Sequence, residues 1–187
     1  MPKKFNMKKL SIISTLNLAF LMLLSMQVNA QKFSDLDKSP MDAATYPSSY
    51  KVANKLIKVI YSRPQLNGRE VSKLAPNGDV WRTGANEATE IIFYKDVTVG
   101  GKKIKAGSYS LFTIPENDEW TILINTDINV WGAYTYNDAK TIAKITVPVT
   151  QDKTSLEAFS IVFEENKNGA DMYMGWGTVR VKVPIQL

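Results

Sequence analysis

The sequence predicts an all-β protein: a single antiparallel β-sandwich or jelly-roll-like barrel with long loops and little helix. Three observations predict it. From residue 55 onward, short β-branched and aromatic runs recur at roughly ten-residue spacing between turn signals. The last run sets Val179, Val181, Val183 and Ile185 on one side and Arg180 and Lys182 on the other, the alternation of a strand with one buried and one wet face. No stretch of that region sustains helical periodicity.

The runs follow in order. Segment 55–61 places Ile57, Val59 and Tyr61 on one face. Segment 90–95 is rich in isoleucine, and 97–104 turns back at Gly100-Gly101. Segment 108–114 ends at Pro115, and 119–125 lines up Trp120, Ile122 and Ile124. Segment 142–149 follows, then 158–164 with Phe159, Ile161 and Phe163 together. Segments 171–176 and 178–185 close the chain; Met172, Met174 and Trp176, at spacing two, read as core. Helix is confined to one expected turn at 137–140. Residues 31–50 read as an irregular lead-in, punctuated by Pro40 and Pro47, with a short helical turn starting near Ser39-Pro40. Residues 51–187 then form one β-sandwich domain with no internal boundary.

The N-terminus carries a different signal. Lys3, Lys4, Lys8 and Lys9 precede an apolar run over 10–24 that ends in Val28-Asn29-Ala30. A basic region, a short apolar region and a small-x-small end describe a secretory signal peptide over 1–30, cleaved near Ala30. The expected location is the periplasm or the cell exterior, with no stable membrane anchor after cleavage. Removing those four lysines takes the formal charge from +5 to +1. A nearly neutral domain lacks the clustered basic footprint of nucleic-acid binding. The short run Lys102-Lys103 with Lys105 follows two glycines and reads as a solvated hairpin.

There is no cysteine and no histidine. Disulfides, thiolate or imidazole metal sites, cysteine nucleophiles and imidazole bases are therefore excluded. Asp35, Asp37 and Asp42 do not follow the spacing of an oxygen-ligand calcium loop and read as solvated charges. No phosphate-binding glycine loop occurs. No cofactor or metal is expected.

Two segments concentrate the remaining chemistry. The long connection 62–89 holds Arg63, Arg69, Trp81, Arg82, Asn86 and Glu87. Connections of that length are often functional. Arginine forks grip carboxylates and phosphates, and a carboxylate such as Glu87 is the lead candidate for acid–base work. The bland alternative is an Arg82–Glu87 pair that holds the loop. The second segment, Trp131-Gly132-Ala133-Tyr134-Thr135-Tyr136, offers aromatic faces for stacking on a sugar or ring, or else caps the core.

These residues bring a resemblance. Tyr61-Ser62-Arg63-Pro64, Gly68-Arg69, Trp81-Arg82-Thr83-Gly84-Ala85-Asn86-Glu87-Ala88-Thr89, Gly107-Ser108-Tyr109-Ser110-Leu111 and Trp131-Gly132-Ala133-Tyr134 resemble the signature of the secreted bacterial family catalogued as domain of unknown function 2911, over about 39–186. The resemblance implies a secreted, mostly-β single domain and carries no activity with it.

Three functions remain open. The first is a cell-envelope module binding a glycan or small polar ligand through Arg63, Arg69, Trp81, Arg82, Asn86, Glu87, Trp131 and Tyr134. The second is a carboxylate-dependent, glycosidase-like hydrolase led by Glu87, with Asp79 or Asp127 as the second acid. The third is a structural or interaction domain. The expected state is monomeric or weakly associating.

Overall fold

The computed structural model describes residues 31–187, so the signal-peptide expectation for 1–30 lies outside the described residues. Asp37–Leu187 pack as one compact unit. Nine strands lie among the described residues: β1 (Met41–Tyr46), β2 (Ile57–Ser62), β3 (Thr89–Phe93), β4 (Val97–Val99), β5 (Lys102–Ile104), β6 (Gly107–Pro115), β7 (Glu119–Asn125), β8 (Thr141–Asn166) and β9 (Gly169–Gln186). They form one sheet in the order β1-β2-β3-β6-β7-β8-β9-β4-β5, with every pairing antiparallel. The all-β expectation holds, and the sheet is not closed into a barrel.

The sheet makes two layers by folding along β8. Residues up to Pro148 pair with β7, and those from Val149 onward pair with β9. The β8–β9 register shifts between Gln151 and Leu156 and again between Leu156 and Ser160. Extra residues on one strand bend it and raise its twist. Arg180 ties the bend: its guanidinium donates to the carbonyls of Gly177, Val179 and Thr154, and Nε lies 3.4 Å from Asp152. The far half of β8 thus comes against β2. The Ile161 N–H donates to the Tyr61 hydroxyl at 2.9 Å, and the Tyr61 ring meets Phe159 edge-on at 5.8 Å.

Two expectations for the strands change. The runs 142–149 and 158–164 belong to one bent strand, as do 171–176 and 178–185. Polar 151–155 carries no strand signal, because bulged residues at a sheet corner face solvent and have the composition of a turn. The lead-in over 31–50 contains β1, paired with β2 from Met41↔Ser62 to Tyr46↔Ile57, where a helical turn was expected. β1 is an edge strand with a largely exposed start, so burial imposes little alternation on its sequence. The expected turn at 137–140 is a single 3-10 turn, Asp138–Lys140. The hairpin at Gly100-Gly101 forms with φ of 55° and 77°, the pair of left-handed conformations that a two-residue turn of type I′ requires.

Trp81 sits where the layers meet. Its ring stacks on Trp176 of β9 at 5.5 Å and 11°, and meets Phe159 of β8 and Trp120 of β7 edge-on at 5.1 and 5.9 Å. Its indole N–H donates to the Gly84 carbonyl at 3.1 Å, which satisfies the polar edge of a ring that is 5% exposed.

Candidate functional site

The connection from β2 to β3 is laced onto the body of the domain. It first crosses to β8, where the Leu66 N–H donates to the Glu157 carbonyl and the Phe159 N–H to the Pro64 carbonyl. A four-residue helix, α1 (Val71–Leu74), follows. The chain then returns to β6: Trp81 and Thr113 exchange both backbone hydrogen bonds, at 2.7 and 2.9 Å. Finally it meets the loop between β7 and β8. The Ala88 N–H donates to the Val130 carbonyl and the Gly132 N–H to the Asn86 carbonyl, both at 2.9 Å. The two segments singled out from sequence are therefore neighbours at one end of the sandwich.

Their side chains do not all converge. Arg63 is spent on structure: Nε donates to the Phe159 carbonyl, one terminal nitrogen to Ser160 Oγ at 2.7 Å, and the other pairs with Asp42 at 3.0 Å. Arg69 folds back on its own loop, donating to the Leu66 and Gln65 carbonyls. It borders a different cleft of about 380 Å³, between α1 and the corner of β9. Trp81 is core. Asn86 takes a left-handed conformation, φ 61°, and presents its carbonyl to Gly132. Glu87 is exposed, and its backbone bridges to Trp131. The Arg82–Glu87 ion pair is not among those of the described residues.

Arg82 stands apart from the other arginines. Its Nε is buried and has no hydrogen-bond partner. Buried polar atoms are satisfied in the great majority of cases, so an orphan of this kind is exceptional. Arg82 borders a cleft of about 450 Å³, walled by Leu74, Pro76, Asp79, Val80, Trp81, Ala133, Tyr134 and Tyr136. That volume is within the range of small-molecule sites. The backbone around Arg82 is held rigidly. On one side is the Trp81–Thr113 bridge. On the other, Thr83 is fully buried at φ 56°, an unusual conformation for a β-branched residue, costing of order 1–3 kcal/mol. Thr83 is held there by its hydroxyl against Thr113 Oγ1 at 3.2 Å and by the Thr89 hydroxyl, which donates to its carbonyl at 2.7 Å.

The aromatic wall has two different members. Tyr136 is fixed: its ring meets Phe112 edge-on at 5.2 Å and its hydroxyl lies 2.9 Å from Asp138 and 2.8 Å from Thr141. Burial raises its pKa above the ordinary tyrosine value. Tyr134 is 84% exposed and Trp131 is 60% exposed. Gly132 makes their loop possible: at φ 66°, a Cβ there would lie 2.7 Å from the Tyr134 ring.

The sequence reading picked out Tyr136 only as part of the 131–136 aromatic string, and Leu74, Pro76 and Val80 not at all. Tyr136 had a signal, since it closes the same aromatic string as Tyr134. Leu74, Pro76 and Val80 had none, because α1 and its flank become a wall only when folded over Trp81. Asp37 caps its own turn by accepting the Ser39 N–H. Among the described residues no group of three or more acids is placed to hold a metal.

The glycine, arginine and aromatic blocks that build this end of the sandwich all fall within one family match. No curated protein matches the chain, and no solved structure does. Residues 39–185 match the family described as protein of unknown function, DUF2911, so the chain belongs to that family.

Proposed function

We propose that this protein is an exported, ligand-binding module of the cell envelope, and that its site is the cleft beside Arg82. The observation that carries the reading is the buried, unpartnered Nε of an arginine whose backbone is clamped on both sides. The clamped backbone fixes where the side chain starts, and the planar fork of a guanidinium loses less freedom per hydrogen bond than an ammonium would. A ligand anion at the rest of the guanidinium would offset the charge of a group whose Nε the protein leaves unpartnered. Tyr134 supplies an exposed face beside it. Export is supported by the leader pattern over 1–30.

The test is calorimetric titration of the purified protein with a panel of neutral sugars, hexuronic acids, dicarboxylates and amino acids. At least one class is expected to bind, and Arg82→Gln is expected to weaken it by about 1.5–3 kcal/mol, the worth of a hydrogen bond to a charged group. If no class binds, or if binding is the same in Arg82→Gln and Tyr134→Ala, the reading fails.

A further inference from the structure

The cleft beside Arg82 contains a second charge. Asp79 borders it three residues earlier in the chain, and the two side chains do not form an ion pair with each other. The Asp79 carboxylate is exposed and takes part in no ion pair among the described residues. Both residues thus line the cleft, and neither has an ion-pair partner among the described residues. The chemistry of a fitting ligand follows by elimination. A simple anion at Arg82 would meet the like charge of Asp79, which opposes its binding. A neutral sugar would leave the part-buried Arg82 charge uncompensated as it displaced water from the cleft. A molecule carrying a carboxylate and an ammonium group satisfies both. The remaining wall, Leu74, Pro76, Val80 and the Tyr134 ring, is suited to an apolar or aromatic substituent.

We infer that the cleft takes a compact zwitterion with an apolar side group, the chemistry of an aromatic or branched α-amino acid or a short peptide. Arg82 receives the carboxylate, Asp79 the ammonium group, and Tyr134 covers the side group. This rests on the ligand-binding reading of the same cleft.

The test compares four probes by calorimetry: L-phenylalanine, N-acetyl-L-phenylalanine, L-phenylalanine amide and L-alanyl-L-phenylalanine. One of the two zwitterions is expected to bind about tenfold or more tightly than both blocked probes, the scale of one lost charged contact. The tighter zwitterion assigns the source, free amino acid or peptide. Asp79→Asn should erase the advantage over the N-acetyl probe, and Arg82→Gln the advantage over the amide. Arg82→Met removes the charge while keeping an apolar stem of similar length and serves if Arg82→Gln folds poorly. The inference is overturned if blocked and zwitterionic probes bind within about twofold of each other, or if neither zwitterion binds at millimolar concentration. Should a sugar or dicarboxylate bind in an Arg82-dependent way while the zwitterions do not, the inference falls and the binding reading stands. Should no probe depend on Arg82 or Tyr134, both fall.

Discussion

Individual side chains in this domain divide between those that hold the layers together and those left with unmet bonding. Tyr61 belongs to the first group. It accepts the Ile161 N–H across the core, and burial raises its pKa above 10.0. Tyr61→Phe should lower unfolding stability by about 1–3 kcal/mol, because a buried N–H loses its acceptor. The sign of the pH effect follows from the raised pKa. The folded state holds the phenolic proton more tightly than the unfolded chain. Its contribution is therefore whole below the ordinary tyrosine pKa and is lost as pH rises through the folded value. Denaturant midpoints measured at rising alkaline pH should fall, and Tyr61→Phe should flatten that fall. Arg82 belongs to the second group. Its replacement by glutamine breaks no hydrogen bond at Nε, so the denaturant midpoint should move by less than about 1 kcal/mol while binding suffers. A large loss of stability would instead mark Arg82 as structural. Reading the sequence picked out Arg63, Arg69 and Arg82 alike, because residue type and loop position are the same for all three. Only the acceptors each one meets tell them apart: Phe159, Ser160 and Asp42 for Arg63, Leu66 and Gln65 for Arg69.

At the scale of elements, the connection 63–88 matters more than any strand for the site. It closes the end of the sandwich with Trp81 and then delivers Arg82 to the surface beside that plug. Trp81→Ala should cost about 3–5 kcal/mol, seen as a lower denaturant midpoint, since the cavity would open between Trp176, Phe159 and Trp120 together. The hairpin of β4 and β5 is a second sensitive element. Gly100 has φ 55°, and a Cβ there would collide with Ile145 of β8. Gly100→Ala should therefore destabilise by more than about 1 kcal/mol, whereas Lys103→Ala, exposed on β5, should be close to neutral. The hairpin was legible in sequence because a two-residue turn of this type admits few residues besides glycine and asparagine. The bend of β8 was not, because solvated bulge and solvated turn look the same in composition.

For the whole molecule, one sheet folded on itself makes both layers parts of a single core. Trp81, Trp120 and Trp176 report on that core from the closing loop, β7 and β9 respectively. Tryptophan fluorescence and far-ultraviolet circular dichroism should thus give coincident denaturation curves, as a single cooperative unit requires. Separate midpoints would mean that the layers unfold independently. The sequence by itself determined the all-β class, most strand positions, the family and the absence of thiol and imidazole chemistry. Those properties follow from residue type and local period, which need no partner. Only the tertiary structure decided that β8 and β9 are single bent strands, that β1 joins the edge, and that Arg82 alone of three loop arginines is left with a buried, unpartnered nitrogen. Pairing, bending and hydrogen-bond satisfaction depend on residues distant in sequence meeting in space, as Tyr61 meets Ile161 100 positions away, and no local pattern records which of them meet.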